Sequence, residues 1–349
     1  MNRSWFSLLK LVVLAFGMTA CEYIHDDLEP CPSGLRLAFE YDYNLQRADM
    51  FADHVKSVTV YVFDENGQFI VSKTESGDFS PSYEMELPLD PGRYQVVALA
   101  GQKPLAEMPN GMGAKFRLTE PAVGDSLSAI TLTLDHDATG RVVNEGMPLD
   151  TIWHGMELEP IEVVIDKVTT DTVSLVRDTK QINVALRDLD DPSAVDVNNF
   201  EFRIYDRNAR LLWDNSVDET DSLTYMPYRT WNTEDKPLEA GGEAGPGRIA
   251  HADFMTSRLI YHEAGKDDAI LSITNKTTGV EVVRVNLADM LSRLRTSADI
   301  YRYTPQQFLD RGYDYQLTFF LKGDTWDYVN IEIAVLSWAK RIQYEHIVL

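Results

Sequence analysis

Basic residues are scarce in this sequence, which has 32 Lys and Arg against 55 Asp and Glu and a formal net charge of −23. Loss of residues 1–20 would remove Arg3 and Lys10 and make the chain more acidic still. An acidic surface repels phosphate backbones and anionic headgroups. We therefore expect no nucleic-acid partner.

The patterns of common catalytic and cofactor sites are also missing. There is no Gly-x-Ser-x-Gly, no Gly-x-x-x-x-Gly-Lys and no Rossmann glycine set. The seven histidines are scattered, without a spacing such as His-x-x-x-His. We therefore predict a protein that is not an enzyme, with no catalytic residue, no cofactor and no metal.

Three short stretches nevertheless resemble fragments of a site. His136 lies between Asp135 and Asp137, and His154 lies in a Trp-His-Gly sequence for which we expect a turn with a packed, hydrogen-bonded imidazole. Asp64-Glu65-Asn66-Gly67 resembles part of a calcium loop, but the later bidentate Glu is missing at its offset. A hairpin turn is the favoured interpretation of that stretch.

Cysteine is nearly absent, and Cys21 and Cys31 are the only two. Residues 1–21 have a positively charged N-terminal region with Arg3 and Lys10, a short apolar run from Leu11 to Phe16, and small residues before Cys21. This is the outline of a secretory signal peptide. The apolar run is shorter than the roughly 20 residues that span a bilayer. Met18-Thr19-Ala20-Cys21 resembles a bacterial lipobox, although Met18 replaces the usual Leu.

A lipobox makes Cys21 the acylated N-terminus of the mature chain, and the alternative is an ordinary cleaved signal that happens to contain a Cys. Two or three acyl chains exceed the single chain that gives only marginal binding, so the product would be anchored to a membrane rather than spanning it. Cys31 would then have no partner, and we expect it to pack as a small hydrophobe. The acidic segment Glu22–Glu29 is either a solvated tether or a surface-export signal.

Beyond residue 34 the sequence alternates apolar and polar residues over short stretches, separated by Gly, Pro, Asn and Asp. Val58–Phe63 is the clearest case, and the Asn66-Gly67 turn follows it. Short strands with such turns between them predict a mainly β chain of the sandwich class. The other predicted strands are Leu35–Tyr43, Arg93–Ala100, Ala129–Leu134, Ile161–Ile165, Thr179–Leu186, Glu201–Tyr205, Ala269–Ile273, Val280–Val285, Tyr315–Leu321 and Tyr328–Leu336.

Few segments have helical patterns. Leu287, Met290, Leu291 and Leu294 have helical spacing, and Thr304–Gln307 is a capping box that Gly312 closes. A short turn is predicted near Ala48–His54. The Gly- and Pro-rich segment Glu239–Gly247 is interpreted as a surface loop.

A series of short sequence motifs follows in order along the chain. The series begins with the lipobox Cys, an acidic tether, Pro-Cys-Pro and a strand that ends in Tyr-x-Tyr-Asn. The segments are Asp27–Asn44, Ala48–Phe51, Val60–Asp64, Pro91–Tyr94, Ala100–Gly101, Leu149–Gly155, Val176–Lys180, Tyr225–Tyr228, Thr256–Leu259 and Tyr315–Leu321. No one motif is highly specific, but in this order they resemble the minor-fimbrium anchoring subunit family of type V fimbriae over essentially the whole mature chain.

The resemblance implies two tandem transthyretin-like β-sandwich domains with a few short helices. We predict a lipoprotein signal peptide at 1–20, a lipid-attached acidic tether at 21–31, and domains at 32–168 and 169–349, the second including the possible donor strand. The family's role implies a non-catalytic subunit that anchors a fimbrium in the outer membrane through lipid on Cys21. Its expected location is the cell surface, and its expected partner is a fimbrial shaft subunit.

In related fimbriae, an Arg- or Lys-specific protease removes the first strand of a shaft subunit, and a neighbour's C-terminal strand fills the groove. An anchor would keep its first strand and donate its C-terminus. Arg36 and Arg47 flank the first predicted strand, so its resistance to the protease depends on the surrounding structure. The alternative for the apolar C-terminus is an edge strand within its own domain. The candidate partner interface consists of Ile331, Ile333, Val335, Trp338, Val348 and Leu349.

Three other functions compete with anchoring. Exposed Trp213, Trp231 or Trp326 could stack on sugar rings and make the chain a glycan-binding or host-adhesive surface lipoprotein, although aromatic residues of β-sandwiches usually lie in the core. An accessory or tip position in the fimbrium is a further alternative. A hydrolase is the remaining and least favoured one.

Overall fold

The computed structural model describes residues 33–234, 247–263, 268–295, 302–333 and 340–345. The side chains are described only up to residue 331. In chain order the strands are β1 (Gly34–Glu40), β2 (Ser57–Asp64), β3 (Phe69–Ser76), β4 (Glu84–Leu87), β5 (Gly92–Gly101), β6 (Phe116–Thr119), β7 (Thr131–Leu134), β8 (Ile152–Val163), β9 (Val168–Arg177), β10 (Lys180–Asp188), β11 (Phe200–Asp206), β12 (Arg210–Leu212), β13 (Val217–Asp218), β14 (Leu223–Tyr225), β15 (Arg229–Glu234), β16 (Arg248–Thr256), β17 (Ile270–Asn275), β18 (Glu281–Asn286), β19 (Asp314–Lys322), β20 (Thr325–Ile333) and β21 (Lys340–Glu345).

Strands dominate these ranges, as the alternating sequence predicts, and the mainly β fold class is confirmed. The helices are short: α1 (Phe51–His54), α2 (Leu287–Ser292) and α3 (Pro305–Arg311), with 3₁₀ turns at Leu105–Asn110, Leu127–Ala129 and Val197–Asn199. Thr304 and Gln307 form both hydrogen bonds of the predicted capping box at the start of α3. The transthyretin-like topology stays a prediction.

The first half of the chain builds a seven-stranded sheet in the order β3-β2-β5-β8-β9-β1-β4. Val60 on β2 and Leu87 on β4 belong to one buried cluster, although their strands are far apart in that order. The sheet therefore folds over onto itself and encloses a core, which gives a sandwich. Leu37 and Val60, both without exposed surface, lie in this core.

The second half forms a six-stranded sheet in the order β15-β16-β10-β19-β20-β21 and a four-stranded sheet in the order β14-β11-β17-β18. Their buried side chains, such as Val184, Phe254 and Leu271, belong to one cluster. Strands β10 and β19 are parallel, and the other pairs in the two sheets are antiparallel. The two sheets therefore pack into a second sandwich.

A fourth, small sheet joins the two halves of the chain. Its order is β13-β12-β7-β6, so strands on either side of the predicted division pair directly, with Leu211 opposite Leu132. Leu132 lies in the same buried cluster as Val184 of the second sandwich and Tyr61 of the first. The large core therefore extends across both halves.

The predicted division of the chain after residue 168 stays a prediction. Val168 is the first residue of β9, which pairs in parallel with β1 and antiparallel with β8. The chain passes from the seven-stranded to the six-stranded sheet between Arg177 and Lys180. The loop predicted at Glu239–Gly247 lies outside the described residues except for Gly247.

Local turn chemistry agrees with the sequence at the first hairpin. Gly67 has a φ of 72°, which glycine adopts without strain, and its N–H donates to the carbonyl of Asp64 at 2.9 Å. The Asp64 carboxylate accepts from the N–H groups of Asn66 and Gln68 at 2.8 and 2.9 Å. The hairpin interpretation of this stretch is confirmed.

Candidate functional site

The predicted partner-interface residues fall mostly outside the part of the chain that the structure describes. Val335, Trp338, Val348 and Leu349 lie there, as do Cys21 and Cys31. Ile331 has no exposed surface and belongs to the large core. Ile333 ends β20, with its backbone opposite Tyr315 on β19 and Lys340 on β21.

The last described strand lies at the edge of the six-stranded sheet. β20 pairs on one side with β19 and on the other with β21, which runs antiparallel from Lys340 opposite Ile333 to Glu345 opposite Tyr328. Among the described residues, β21 pairs with β20 alone. Its second edge has no partner within the described ranges, and such an edge is the usual position for strand addition.

The first strand has the opposite position, in the interior of its sheet. β1 pairs with β4 on one side and with β9 on the other, and Arg36 lies opposite Glu86 and Thr170. The Arg36 guanidinium contacts the carboxylates of Glu84 and Glu86 at 3.4 and 2.8 Å. The backbone at Arg36 is therefore held in the ladder on both sides.

The loop after β1, which carries Arg47, is folded around two polar side chains. The buried Asn44 amide donates to the carbonyls of Tyr41 and Ala48 at 2.6 and 2.8 Å. Asp49 accepts from the N–H groups of Tyr41 and Phe51, both at 2.9 Å. These bonds fix the chain on both sides of Arg47.

This loop also docks on the second sandwich. The Gln46 amide donates to the Tyr313 hydroxyl at 3.1 Å, and the Arg47 guanidinium lies 5.9 Å from the Tyr303 ring centroid. Arg311 lies 3.7 Å from the centroid of the Tyr43 ring. The segment after the first strand is thus part of the contact between the two halves of the chain.

The centre of that contact is a buried group of charged side chains in the segment Val176–Lys180. The sequence singled this segment out without giving it a role. Lys180 has no exposed surface, and its ammonium donates to the carbonyls of Arg177, Asp310 and Gly312, each at 2.9 Å. All three N–H donors of the ammonium are thus paired, one with a carbonyl at the end of β9 and two with carbonyls at the C-terminal end of α3.

Neighbouring charges complete what we call the ionic junction, formed by Arg177, Asp178, Lys180, Arg258 and Asp310. Arg258 binds both carboxylate oxygens of Asp310 at 2.8 Å, and it also donates to the Asn215 carbonyl. The Arg177 guanidinium lies over the Tyr313 ring, 4.5 Å from its centroid.

Burial shifts the titration of two junction residues in opposite directions. It raises the pKa of Asp178. It lowers the pKa of Lys180, although the negative charges of Asp310 and Asp178 act in the other direction. The Oδ1 atom of Asp178 accepts no hydrogen bond from the described residues. Perturbed pKa values also occur at catalytic sites, but this group is closed to solvent, so its arrangement supports a structural role.

The expected turn at Trp153-His154-Gly155 is wrong, because these residues lie in strand β8. The expected packing of the imidazole is confirmed. His154 is buried, and its Nε2–H donates to the Trp213 carbonyl at 2.8 Å. Burial lowers the pKa of His154 to about 4. A β carbon on Gly155 would lie 2.8 Å from the Ser174 carbonyl oxygen, which explains the glycine.

The other sequence candidates do not assemble into a reactive site. The exposed imidazole of His136 contacts the Asp137 carbonyl at 3.0 Å, and the Asp137 carboxylate binds the backbone of its own turn. No group of three or more His, Cys, Asp or Glu side chains suited to a metal ion occurs in the described ranges. No helix within these ranges is long and apolar enough to cross a membrane.

The three candidate sugar-stacking tryptophans differ in their surroundings. Trp213 and Trp326 are half-buried and pack against the large core. Trp231 lies on the outer face of the six-stranded sheet and stacks on His251, with ring centroids 4.7 Å apart. Trp231 also lines a groove on that face.

Fold and site together define a mainly β protein whose two sandwiches are held together by a buried ionic junction. The family described as fimbrillin-A associated anchor proteins Mfa1 and Mfa2 matches residues 28–344. The chain belongs to this family of fimbria-associated proteins of the cell surface, which is not a class of enzymes.

Solved structures are similar over most of the chain. A candidate adhesin from Bacteroides thetaiotaomicron is 28% identical with a TM-score of 0.74, covering 90% of this chain and 100% of its own. A candidate polysaccharide-binding protein from the same organism is 30% identical with a TM-score of 0.68, covering 89% and 99%. The fimbrial anchor protein Mfa2 from Porphyromonas gingivalis, 19% identical with a TM-score of 0.59 over 88% and 99%, shares the fold. No curated protein matches the sequence.

Proposed function

We propose that this chain is a lipid-anchored subunit that fixes the base of a fimbrium in the outer membrane and ends its assembly. The observation that carries the proposal is the place of β1 inside its sheet, where it is paired with β4 on one side and with β9 on the other. Only a short segment separates β1 from Cys21. A load on the sandwich would therefore pass directly to the lipid.

Retention of β1 follows from its contacts. Leu35, Leu37 and Phe39 are buried in the first core, so removal of the strand would expose them together with the surfaces they cover. A protease has to bind an extended chain on both sides of the bond it cleaves. Arg36 lies inside the ladder and Arg47 lies in a hydrogen-bonded, docked loop, so neither offers such a chain.

Contact with the fimbrium is assigned to the other end of the chain. The segment after Ile333 would leave the sheet edge, or extend from it, and add as a strand to the groove of the last shaft subunit. The apolar residues that we propose to fill that groove are Val335, Trp338, Val348 and Leu349. Ile331 would stay in its own core, where it is buried.

The lipid anchor is tested by Cys21→Ala, with Cys31→Ala as the matched control because both cysteines lie before β1. We expect the mature wild-type protein to begin at acylated Cys21 by intact mass, and Cys21→Ala cells to shed their fimbriae into the medium. Cys31→Ala cells should keep them. An unmodified Cys21, or a mature chain that begins after Arg47, would refute anchoring.

The strand donation is tested by deleting residues 334–349. The truncated protein should remain in the outer-membrane fraction, while fimbriae no longer co-purify with it. Arg341→Ala, which keeps all apolar residues of the segment, is the control and should retain them. Equal recovery of fimbriae with the truncated and control proteins would refute donation and leave the lipid anchor standing.

A tip adhesin is the second candidate, favoured by the relatives from Bacteroides thetaiotaomicron that are described as an adhesin and a polysaccharide-binding protein. The two roles place the subunit at opposite ends of the fimbrium. Immunogold labelling with an antibody to the first sandwich should mark the cell-proximal end. Labelling of the free end would replace anchoring with the adhesin role.

A further inference from the structure

The outer face of the six-stranded sheet carries a groove that fimbrial anchoring does not explain. Its volume is about 410 Å³, and it crosses strands β15, β16, β10 and β19. Register places two cross-strand rows of side chains in it. One row is Trp231–His251–Ala185–Thr318, and the other is Arg229–Asp253–Asn183–Gln316.

The first row forms an aromatic wall next to a shallow floor. Trp231 and His251 are nearly parallel, with an interplanar angle of 7°, and Arg229 lies 4.0 Å from the Trp231 ring centroid. Trp231 thus supports His251 rather than facing the groove alone. Ala185 is the next residue in the row, and its methyl group leaves open space beside His251.

The second row is polar and already held in place. Arg229 and Asp253 form an ion pair at 2.9 Å. The Asn183 amide donates to Asp314 at 3.0 Å, while Gln316 is exposed. These are planar groups that offer paired donors and acceptors along one side of the floor. They lie beside the aromatic wall, where Arg229 and Gln316 are exposed and Asp253 is buried beneath the ion pair.

We propose that this groove binds a hexopyranosyl unit of a polysaccharide, with the sugar ring over Ala185. The ring's C–H face packs on His251, and its hydroxyl groups bond to Arg229, Asn183 and Gln316. Small-ligand sites combine such an aromatic surface with a few placed polar groups. The groove lies on a sheet face, where the backbone is already paired, so it does not offer an extended peptide the bonds of strand addition.

The site is tested on an array of terminal and internal hexopyranosides with the full mature chain. Ala185→Trp fills the floor and should reduce binding at least tenfold. Gln316→Ala, an exposed change outside the core, should reduce it several-fold. Thr274→Trp places the same bulk on β17 of the other sheet and should leave binding unchanged.

Wild-type binding to at least one hexopyranoside, lost in Ala185→Trp and kept in Thr274→Trp, supports the site. Absence of wild-type binding across the array overturns it. Equal binding by wild type, Ala185→Trp and Gln316→Ala also overturns it, since the sugar would then bind elsewhere. None of these outcomes depends on lipid at Cys21 or on attached fimbriae, so the site and the anchoring role are tested separately.

Discussion

Replacement of Lys180 by Met is expected to lower the free energy of unfolding by about 3–5 kcal/mol, because it removes a buried ammonium from three backbone carbonyls and from the neighbouring carboxylates. Met is apolar and of similar length. It would leave the carbonyls of Arg177, Asp310 and Gly312, each now 2.9 Å from the ammonium, without that donor. A buried polar group left unpaired costs about 1–3 kcal/mol. The end of α3 can shift partly to accommodate Met, so the total loss of stability should be smaller than three times this cost.

The Asp178 carboxylate gives this prediction a second part. Without Lys180 it would be buried with less opposing charge, and burial already raises its pKa. Asp178→Asn should therefore cost less in the Lys180→Met background than in wild type. A coupling of about 1–3 kcal/mol is typical of residues in one charged network.

The assay is urea unfolding followed by tryptophan fluorescence, on the mature Cys21→Ala chain without lipid. Lys322→Met is the matched control, because Lys322 is exposed at the end of β19 and surface changes usually stay within about 0.5 kcal/mol. A cost below about 1 kcal/mol for Lys180→Met, or additive effects of Lys180→Met and Asp178→Asn, would refute a stabilising role of the ionic junction.

The structure also predicts how three further substitutions change the free energy of unfolding. Burial lowers the pKa of His154 from 6.5 to about 4, so the folded protein loses roughly 3 kcal/mol of stability as the pH falls from 6.5 to 4. His154→Gln keeps an N–H donor but does not titrate, so its urea midpoint should change less with pH over that range. Burial raises the pKa of Asp206 from 3.8 to about 7, so its contribution to the free energy of unfolding is lost as the pH rises from 3.8 to 7. Asp206→Asn should therefore lose less stability than the wild type over that rise, as measured by the same urea titration. Gly155→Ala places a methyl group against the Ser174 carbonyl and should cost about 1–3 kcal/mol in urea unfolding, whereas Gly92→Ala meets only a movable side-chain tip and serves as the control. A sloped midpoint in His154→Gln, an unchanged one in Asp206→Asn, or equal costs for the two glycine variants would contradict these assignments.

Local sequence signals predicted local structure well. Alternation in Val58–Phe63, the Asn66-Gly67 turn and the Thr304–Gln307 capping box each specify a conformation from neighbouring residues, and each occurs where predicted. Strand β8 was only partly predicted, because its first residues, Trp153 to Gly155, suggested a turn. Gly155 lies there to make room for β9, which is a packing requirement that local patterns do not contain.

Long-range pairing was beyond the sequence. β1 lies beside β9 with Gly34 opposite Val168, although more than a hundred residues separate them along the chain. The alternation in each strand specifies which face is buried but not which strand lies beside it. For the same reason, nothing in the sequence joins Leu132 to Leu211 in the small sheet.

The ionic junction was hidden for a related reason. A lysine two residues from an aspartate in an acidic chain suggests solvated surface charges, and Lys180 and Asp178 are instead buried. The groups that make burial possible are backbone carbonyls of residues 310 and 312, and a carbonyl leaves no mark on the sequence. The clue was the Val176–Lys180 segment itself, which places three charged residues where β9 ends and β10 begins.

The order of the strands also suits the proposed role as an anchor. A subunit held at Cys21 and loaded at its C-terminus is pulled at the start of β1 and at the end of β9, near Arg177. β1 and β9 are parallel, so this load shears all their hydrogen bonds together rather than opening them one by one.

In the second sandwich the load enters at Lys180, at the start of β10. β21 runs in the same direction as β10, since β19 is parallel to β10 and two antiparallel steps follow. Load leaving at Glu345 therefore shears the second sheet as well, and the ionic junction lies between the two sheared sheets.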